Sequence, residues 1–309
     1  MGRDLTRALC IAWSLLAAAA PLRAQEVTDA DLQKRANAIL TLMGFSLTPD
    51  VTTGALSFSD QSTGDPYFRQ TSISGGGRVS STVPLYLEGT LGYGRYDPTF
   101  AAAGAQAAIP VKWDSLLATG GIGWDFPLAK ELTLRPIFNF SLGRVESEGA
   151  VAGASASASG RDALEFLGNG QLNAFGVGGS LMLDYERYRP GNEVDLELRY
   201  TYINLQSFDS SQSVEGHANA QTLSLWSRYR APTGFMLLER PLRYVLEYAY
   251  TTFLGDLKGV LFDDLHSFGA GLELDSSNYD VYVTRTRLLL RYKIGNNVTG
   301  WAVGLGFSF

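Results

Sequence analysis

The last ten residues, Gly300 to Phe309, read GWAVGLGFSF and decide the fold. Large apolar residues alternate in this segment with glycine, alanine and serine. Because successive side chains of a β-strand point to opposite faces, the segment predicts a strand with one bulky apolar face and one face of small residues. Such a strand suits a sheet whose outside is apolar and whose inside is crowded.

The same two-residue period recurs from residue 51 onward, for example from Leu85 to Tyr93, Leu132 to Leu142 and Leu242 to Tyr250. It predicts twelve strands, most of them long enough to cross a bilayer at a tilt, since this takes about 9 to 11 residues. Their approximate ranges are 52–59, 68–79, 84–95, 113–125, 131–145, 171–186, 193–206, 218–230, 241–252, 263–274, 279–294 and 297–309.

The connections between these strands alternate in length. Short ones fall at 80–83, 126–130, 187–192 and 275–278, whereas those between them include 96–112 and 146–170. Short periplasmic turns and longer outer loops are typical of outer-membrane barrels. A soluble β-sandwich would explain a single such strand, but not twelve strands with this loop asymmetry. We therefore predict an all-β fold, a transmembrane antiparallel β-barrel of 12 strands spanning residues 51–309.

The N-terminal residues predict export. Arg3 and Arg7 precede an apolar run from Ala8 to Leu22, and the small residue Ala24 ends the segment. A basic start, a short apolar run and a small residue at the exit are typical of a secretory signal peptide. We predict that residues 1–24 are this signal peptide and that the protein reaches the outer membrane of a Gram-negative bacterium.

One segment has a helical pattern. Thr28 and Asp31 suit a helix N-terminus, and apolar residues recur at helical spacing up to Met43. We predict a helix at about 29–43, within an N-terminal segment 25–45, that lies in the barrel lumen and blocks it. The alternative is a helix on the periplasmic membrane surface with its apolar stripe in the lipid.

Composition excludes several classes of protein. Without residues 1–24 the chain loses three arginines and Asp4, which leaves 22 basic and 30 acidic residues, a net charge of −8. No basic face for nucleic acid is expected on such a chain. The one cysteine, Cys10, lies in the predicted signal peptide, so we expect no disulfide and no thiolate metal site. The sequence predicts no metal and no cofactor.

The helix, the strands and the terminal Gly304-Leu305-Gly306-Phe307-Ser308-Phe309 resemble the translocator domain of autotransporters, and more closely the solitary autotransporter-type barrels that lack a passenger. The resemblance covers nearly all of the chain after residue 24. It implies outer-membrane lipid and the barrel assembly machinery as partners. It also implies that this machinery reads the terminal strand, through Trp301, Val303, Leu305, Phe307 and Phe309.

The same resemblance implies secretion of a passenger, but only a few residues separate Ala24 from the predicted helix. We therefore expect no passenger, and the secretion activity is not carried over.

Charged residues opposite the apolar faces are the main functional candidates. An arginine or lysine in the lipid would cost about 2 to 4 kcal/mol at the bilayer midplane, so we expect these residues to line the lumen. They are Arg135, Asp184, Glu186, Asp195, Glu197, Arg199, Arg228, Arg230, Arg243, Glu247, Arg285, Arg287, Arg291 and Lys293. Separate acidic and basic walls could orient small permeating solutes. Pairing of these charges with each other and with the helix, which fills a narrow lumen, is the expected arrangement.

The sequence can be compared with the residue patterns of two outer-membrane hydrolases. Outer-membrane phospholipase A has a His-x-Ser pair on one strand, and neither His217 nor His266 has a serine at that spacing. Asp264-Leu265-His266 matches the Asp-x-His spacing of the omptin proteases, but alternation places both residues on the lipid side, and a two-residue match is expected by chance. The sequence therefore predicts no enzymatic activity.

Overall fold

A computed structural model describes residues 53–60, 66–80, 82–96, 99–100, 109–149, 171–208, 216–256, 258, 263–279, 281–296 and 298–308. The predicted signal peptide, the predicted helix and Phe309 lie outside the described residues. Within them, no helix is long and apolar enough to cross a membrane.

Twelve long antiparallel strands make up the fold. They are β1 (Thr53–Asp60), β2 (Pro66–Arg78), β3 (Leu85–Tyr96), β4 (Ile109–Trp124), β5 (Leu132–Gly149), β6 (Gln171–Arg189), β7 (Asn192–Phe208), β8 (His217–Leu237), β9 (Arg240–Gly255), β10 (Asp264–Asp275), β11 (Arg285–Gly295) and β12 (Val298–Ser308). Two short segments accompany them. Thr99–Phe100 pairs with the start of β4, and Phe126–Ala129 continues β4 beyond Asp125 and pairs with β5.

The sheet closes on itself. Each strand pairs with the next one along the chain, and β12 pairs with β1 in a register that runs from Val298 opposite Asp60 to Leu305 opposite Thr53. Every one of the twelve strands therefore has two bonded neighbours, which removes the exposed edges of an open sheet. The predicted 12-stranded barrel is confirmed.

Alternation along each strand separates an inner from an outer face. In β12, Ala302 and the glycines at 300, 304 and 306 are buried, whereas Trp301, Val303, Leu305 and Phe307 are exposed. The other strands repeat this pattern, with exposed large apolar side chains such as Leu142 and Leu290 on the outer face. An apolar outside and a more polar inside are the reverse of a soluble protein and typical of a barrel in lipid.

The two ends of the barrel differ in their connections. The end that holds the start of β1 and the end of β12, which we name the turn end, has the two-residue links 130–131, 190–191 and 238–239. The opposite end, the loop end, has the long links 97–108 and 150–170. By the usual asymmetry of these barrels, the turn end faces the periplasm.

The hairpin between β8 and β9 is longer than predicted. We expected a link at 231–240, but β8 continues to Leu237 and only Leu238 and Glu239 form the turn. Their φ angles are 51° and 64°, the left-handed values that a two-residue type I′ turn requires. Pro232 and Gly234 misled the prediction because they read as loop residues, whereas the strand pairing resumes after a register shift there.

The strand predicted at 279–294 starts later, at Arg285. Residues 276–284 form a link instead, in which the Tyr279 amide donates to the Ser276 carbonyl at 3.0 Å and the Ser276 amide donates to the Thr284 carbonyl at 2.7 Å. These local turns use backbone groups that a sheet ladder would otherwise need.

The outer apolar face can be tested with charged substitutions. Leu246→Arg and Leu305→Arg should each lower the free energy of unfolding by about 2 to 4 kcal/mol, because both outward side chains would bring a charge into the lipid. Urea unfolding in phospholipid vesicles measures this quantity.

Gln206→Arg is the matched control, because Gln206 is exposed near the loop end and there the expected cost falls to about 1 kcal/mol or less. Equal losses in all three variants would contradict the assigned depths, and the absence of a loss in the two leucine variants would contradict the assigned faces.

Candidate functional site in the barrel lumen

The structure places the predicted luminal charges at inward strand positions. Near the turn end Glu186 is exposed, whereas Asp184, Glu197 and Arg285 are half-buried. Lys293 is half-buried near the loop end. The fully buried members are Arg135, Asp195, Arg199, Arg228, Arg230, Arg243, Glu247, Arg287 and Arg291. Buried charges of this kind require partners, so the arrangement of ion pairs decides what the lumen does.

The largest group of charges lies near the turn end, and we name it the mouth cluster. Its members are Arg230, Arg243, Arg285, Arg287, Glu193, Asp195, Glu273 and Asp275. Four arginines face four carboxylates, so the cluster as a whole is neutral. The residues come from five consecutive strands, β7 to β11, which the cluster ties together from the inside.

Glu273 is the centre of the mouth cluster and is completely buried. Its carboxylate lies 2.5 Å from Arg287 Nε, 3.6 Å from Arg230 Nη1 and 3.7 Å from Arg285 Nη1. Arg243 Nε is at 4.0 Å. One buried carboxylate therefore lies within 4.0 Å of the guanidinium groups of four arginines.

Glu193 forms the second contact point of the mouth cluster. Arg285 donates to both of its carboxylate oxygens, at 2.6 and 3.0 Å. Arg243 Nη1 lies 3.0 Å and Arg230 Nη2 3.2 Å from the same carboxylate. Glu193 belongs to β7 and Arg285 to β11, so this bidentate pair joins strands that are four apart in the wall.

A second pair of this kind, which we name the bridge, joins β3 to β7. Arg199 Nη1 and Nη2 donate to the two oxygens of Glu88 at 2.8 and 2.6 Å. Asn139 donates to the same carboxylate at 2.9 Å, and Ser180 accepts from Arg199 at 2.9 Å. The bridge is buried at both ends, and every charged group in it has a hydrogen-bond partner.

A third group, the arginine–glutamate–arginine triad, consists of Arg228 of β8, Glu247 of β9 and Arg291 of β11. Arg228 and Arg291 donate through Nε to opposite oxygens of Glu247, both at 2.7 Å. Gly269 lies beside it, and a Cβ at this position would come within 3.1 Å of Glu247 Cβ and 3.2 Å of Arg291 Cγ. The small inner residue thus makes room for the large charged side chains.

Glycine has the same role at the bridge. A Cβ on Gly121 would lie 2.6 Å from Glu88 Cγ and 2.7 Å from Asn139 Nδ2, closer than real Cβ contacts. The small residues of the inner face therefore leave space in the lumen, and long side chains occupy it.

Arginines also meet at the turn end of β2 to β6. Arg78 and Arg135 both pair with Asp125, and Arg135 Nη1 lies 3.1 Å from Asp184. The guanidinium of Arg135 stacks on Tyr86 at 4.0 Å from the ring centre. Two cations and two carboxylates balance here as well.

Four carboxylates of β6 and β7 form an acidic patch, defined by Asp184 opposite Glu197 and Glu186 opposite Asp195. Like charges directly opposite each other destabilise a sheet. Arg135 offsets this at Asp184 and Arg230 at Asp195, where Nη2 lies 2.8 Å from the carboxylate.

The inner wall changes character towards the loop end. Buried apolar side chains replace the charges there: Leu117, Val145, Leu172, Ala174, Ile203, Leu205, Ala218, Ala220, Phe253 and Val298. This apolar ring was not predicted from the sequence, where only charged inward residues were candidates. Its signal was an apolar residue at an inward position, as in Ile203 and Leu205.

Several acidic partners were also absent from the sequence candidates. Glu88, Asp125, Glu193, Glu273 and Asp275 carry most of the ion pairs described above. Glu273 could have been found by alternation, since it lies between the outward Leu272 and Leu274 of β10.

The Asp-x-His match of β10 lies on the outer face, as expected. The His266 Nδ1 atom lies 3.0 Å from the hydroxyl of Tyr248, and the ring also packs near Tyr250 at 4.8 Å between centres. His266 thus contacts the aromatic residues of the neighbouring strand β9. In the described part of the chain, no group of three or more His, Cys, Asp or Glu side chains is arranged to hold a metal ion.

No protein-family model matches this sequence, and no curated protein matches it. Solved structures do match. The transport unit of the autotransporter AIDA-I from Escherichia coli aligns with a TM-score of 0.50 at 10% identity, over 90% of this chain and 99% of that chain.

The chain has an outer-membrane β-barrel fold. Two further matches are the translocator domain of the autotransporter NalP from Neisseria meningitidis and the β domain of the Bordetella autotransporter BrkA. For NalP the TM-score is 0.46 at 13% identity, over 91% of this chain and 95% of that chain. For BrkA it is 0.46 at 13% identity, over 84% and 100%. At these identities the likeness concerns the fold alone.

The mouth cluster should contribute to stability through Glu273. Glu273→Gln removes the central negative charge and leaves buried arginines without compensation, so the free energy of unfolding should fall by about 3 kcal/mol or more. The same substitution at the exposed Glu186 should change it by less than about 0.5 kcal/mol. Urea unfolding in vesicles measures both. A similar effect of the two substitutions would show that the cluster does not stabilise the barrel.

Proposed function

We propose that this chain is an integral outer-membrane barrel of the autotransporter translocator type and that its lumen is closed. The fold shared with the AIDA-I transport unit supports the barrel, and the apolar outer face supports its place in a bilayer. Export by a signal peptide at 1–24 and insertion by the barrel assembly machinery, through the terminal strand and Phe309, belong to the same proposal.

The observation that supports a closed lumen is that two ion pairs join strands four positions apart in the wall. Neighbouring strands lie about 4.8 Å apart, so four steps along the wall cover about 19 Å. The Glu88–Arg199 and Glu193–Arg285 contacts at 2.6 Å cannot follow the wall over such a distance and must cross the lumen. Both pairs start from β7, which thereby contacts two further parts of the wall, β3 and β11, each four strands away.

These crossing pairs resist opening because they are buried. An ion pair that is separated in a low-dielectric interior leaves two charges without compensation, at a cost of about 3 to 5 kcal/mol for the removal of one partner. The apolar ring towards the loop end adds a second barrier, since a narrow apolar constriction excludes water and ions. In the proposal, the helix at 29–43 occupies the remaining space.

A small-solute pore is the second candidate. The observation that favours it is the acidic patch, because Glu186 is exposed near the turn end and two further carboxylates of the patch are half-buried. An acidic mouth concentrates cations and would give a pore cation selectivity. Conductance separates this candidate from a closed barrel.

We further propose that the protein is not an enzyme. The two residues that matched a hydrolase pattern, Asp264 and His266, face outward. His266 contacts Tyr248 and Tyr250, and tyrosines are typical of the membrane interface.

Planar bilayer recordings test the closed lumen. The intact protein should give no steady current, whereas Glu88→Ala combined with Arg199→Ala should give measurable single-channel openings, because this variant removes a contact that crosses the lumen. Deletion of residues 25–45 should also increase conductance if the helix fills part of the lumen.

Arg144→Ala with Glu146→Ala is the matched control, since it removes an ion pair on the outer face. It should leave the recordings unchanged. Steady, cation-selective currents from the intact protein would contradict the closed lumen and favour the pore.

A further inference from the structure

The β8–β9 hairpin extends beyond its neighbours in the wall at the turn end. β7 pairs with β8 only as far as Glu193 opposite Arg230, and β10 pairs with β9 only as far as Leu274 opposite Leu242. From Leu242 to the turn at Leu238 the strand covers about 14 Å, at about 3.4 Å per residue. The hairpin therefore projects from the barrel on the periplasmic side.

The β9 side of this projection is held by the link 276–284. The hydroxyl of Tyr279 donates to the carbonyl of Glu239 at 2.5 Å. Arg240 donates to the hydroxyl of Ser276, and its guanidinium lies 4.8 Å from the centre of the Tyr279 ring. The opposite side, formed by residues 232–237 of β8, faces no further strand of the described chain, and we name it the free edge.

The free edge presents backbone hydrogen-bonding groups. In a hairpin with a two-residue turn, the two residues that flank the turn bond to each other, and here these are Leu237 and Arg240. The next pair, Met236 opposite Pro241, is therefore a non-bonded pair, and the N–H and C=O of Met236 point away from β9. An edge with such groups is a template for one more strand.

The side chains of the free edge and of the turn are apolar and exposed. The exposed fractions are 73% for Phe235, 61% for Met236, 51% for Leu237 and 77% for Leu238. The β6–β7 hairpin has a polar tip instead, since residues 189–192 read Arg-Pro-Gly-Asn. A contiguous apolar surface outside the barrel wall is typical of an interaction site.

The combination of apolar side chains and backbone groups selects the occupant. Lipid covers apolar side chains, but hydrocarbon has no donors or acceptors for an open sheet edge. A second copy in the same membrane runs its β8 in the same direction, so two free edges would meet as parallel strands, the less stable pairing. An extended peptide supplies both backbone groups and apolar side chains.

The wall also provides a place for such a peptide. Because Glu193 stands opposite Arg230, Asn192 at the start of β7 is in line with Ala231, just before the free edge. A strand added beyond Asn192 would lie in line with β7. It would continue the β7–β8 ladder with the same antiparallel direction.

We propose that the free edge binds an extended segment of a periplasmic polypeptide by strand addition. The N–H and C=O of Met236 bond to the backbone of the segment, and apolar side chains at alternate positions of the segment pack against those of the edge. The inference goes beyond the closed lumen and requires only that the turn end faces the periplasm.

Peptide binding to the purified protein in phospholipid nanodiscs tests the proposal. The probe is a fluorescently labelled heptapeptide of alternating valine and threonine, and fluorescence anisotropy measures its binding. Met236→Pro should weaken binding about tenfold or more, because it removes the outward N–H and leaves the non-bonded pair with Pro241 in place. Met236→Ala is the matched control, since it keeps this N–H, and it should weaken binding about threefold at most.

A second peptide separates strand addition from apolar contact alone. The same heptapeptide with an N-methyl group on every residue keeps its side chains but has no backbone donors, and it should bind at least about tenfold more weakly. Equal affinity for the two peptides, unchanged affinity of the Met236→Pro variant, or no binding to the unaltered protein would overturn strand addition.

Two further outcomes would identify another occupant and overturn the choice of a peptide. Binding in detergent that is absent in nanodiscs would show that lipid covers the free edge. Self-association of the protein without peptide, lost in the Met236→Pro variant, would assign the edge to a second copy. Heat-modifiable migration in electrophoresis verifies that each variant is folded, and none of these outcomes depends on conductance.

Discussion

An arginine removed from water must meet a negative charge, and this constraint organises the inside of the barrel. The buried cations of β5 to β11 each contact a carboxylate, often one on a strand that is not a neighbour. Glu273 alone is approached by four arginines. These charged side chains avoid the lipid by pointing into the lumen. Their ion pairs therefore connect strands that are not neighbours in the wall.

The small inner residues and the charged ones depend on each other. Glycines such as Gly121 and Gly269 leave the space in which Glu88, Glu247 and Arg291 lie, and they have no Cβ with which these side chains would collide. Side chains alone fill the lumen of a barrel of eight strands, and a barrel of 12 strands encloses more space. Long arginine and glutamate side chains, paired across the lumen, fill it near the turn end, and the apolar ring replaces them near the loop end.

Much of the fold follows from alternation in the sequence, because side-chain period and facing are local properties of a strand. The alternation in the terminal strand predicted the wall of the barrel. The inward charges were predicted because they alternate with apolar residues along their strands. Pairing partners were harder to find: Glu88 and Arg199 are 111 residues apart, and only the closed sheet brings them together. The end of the β8–β9 hairpin was predicted as a link for a local reason: proline and glycine usually mark the end of a strand, but here Pro232 and Gly234 lie at a bulge.

A charge-reversal cycle on Glu88 and Arg199 tests the crossing contact most directly. Glu88→Arg and Arg199→Glu should each lower the free energy of unfolding by about 3 to 5 kcal/mol, since each leaves two like charges in a buried site. If the two side chains meet across the lumen, the double variant restores the pair and recovers more than half of the summed loss. If the two losses add to within about 0.5 kcal/mol, the residues do not interact and the lumen is not closed by this pair.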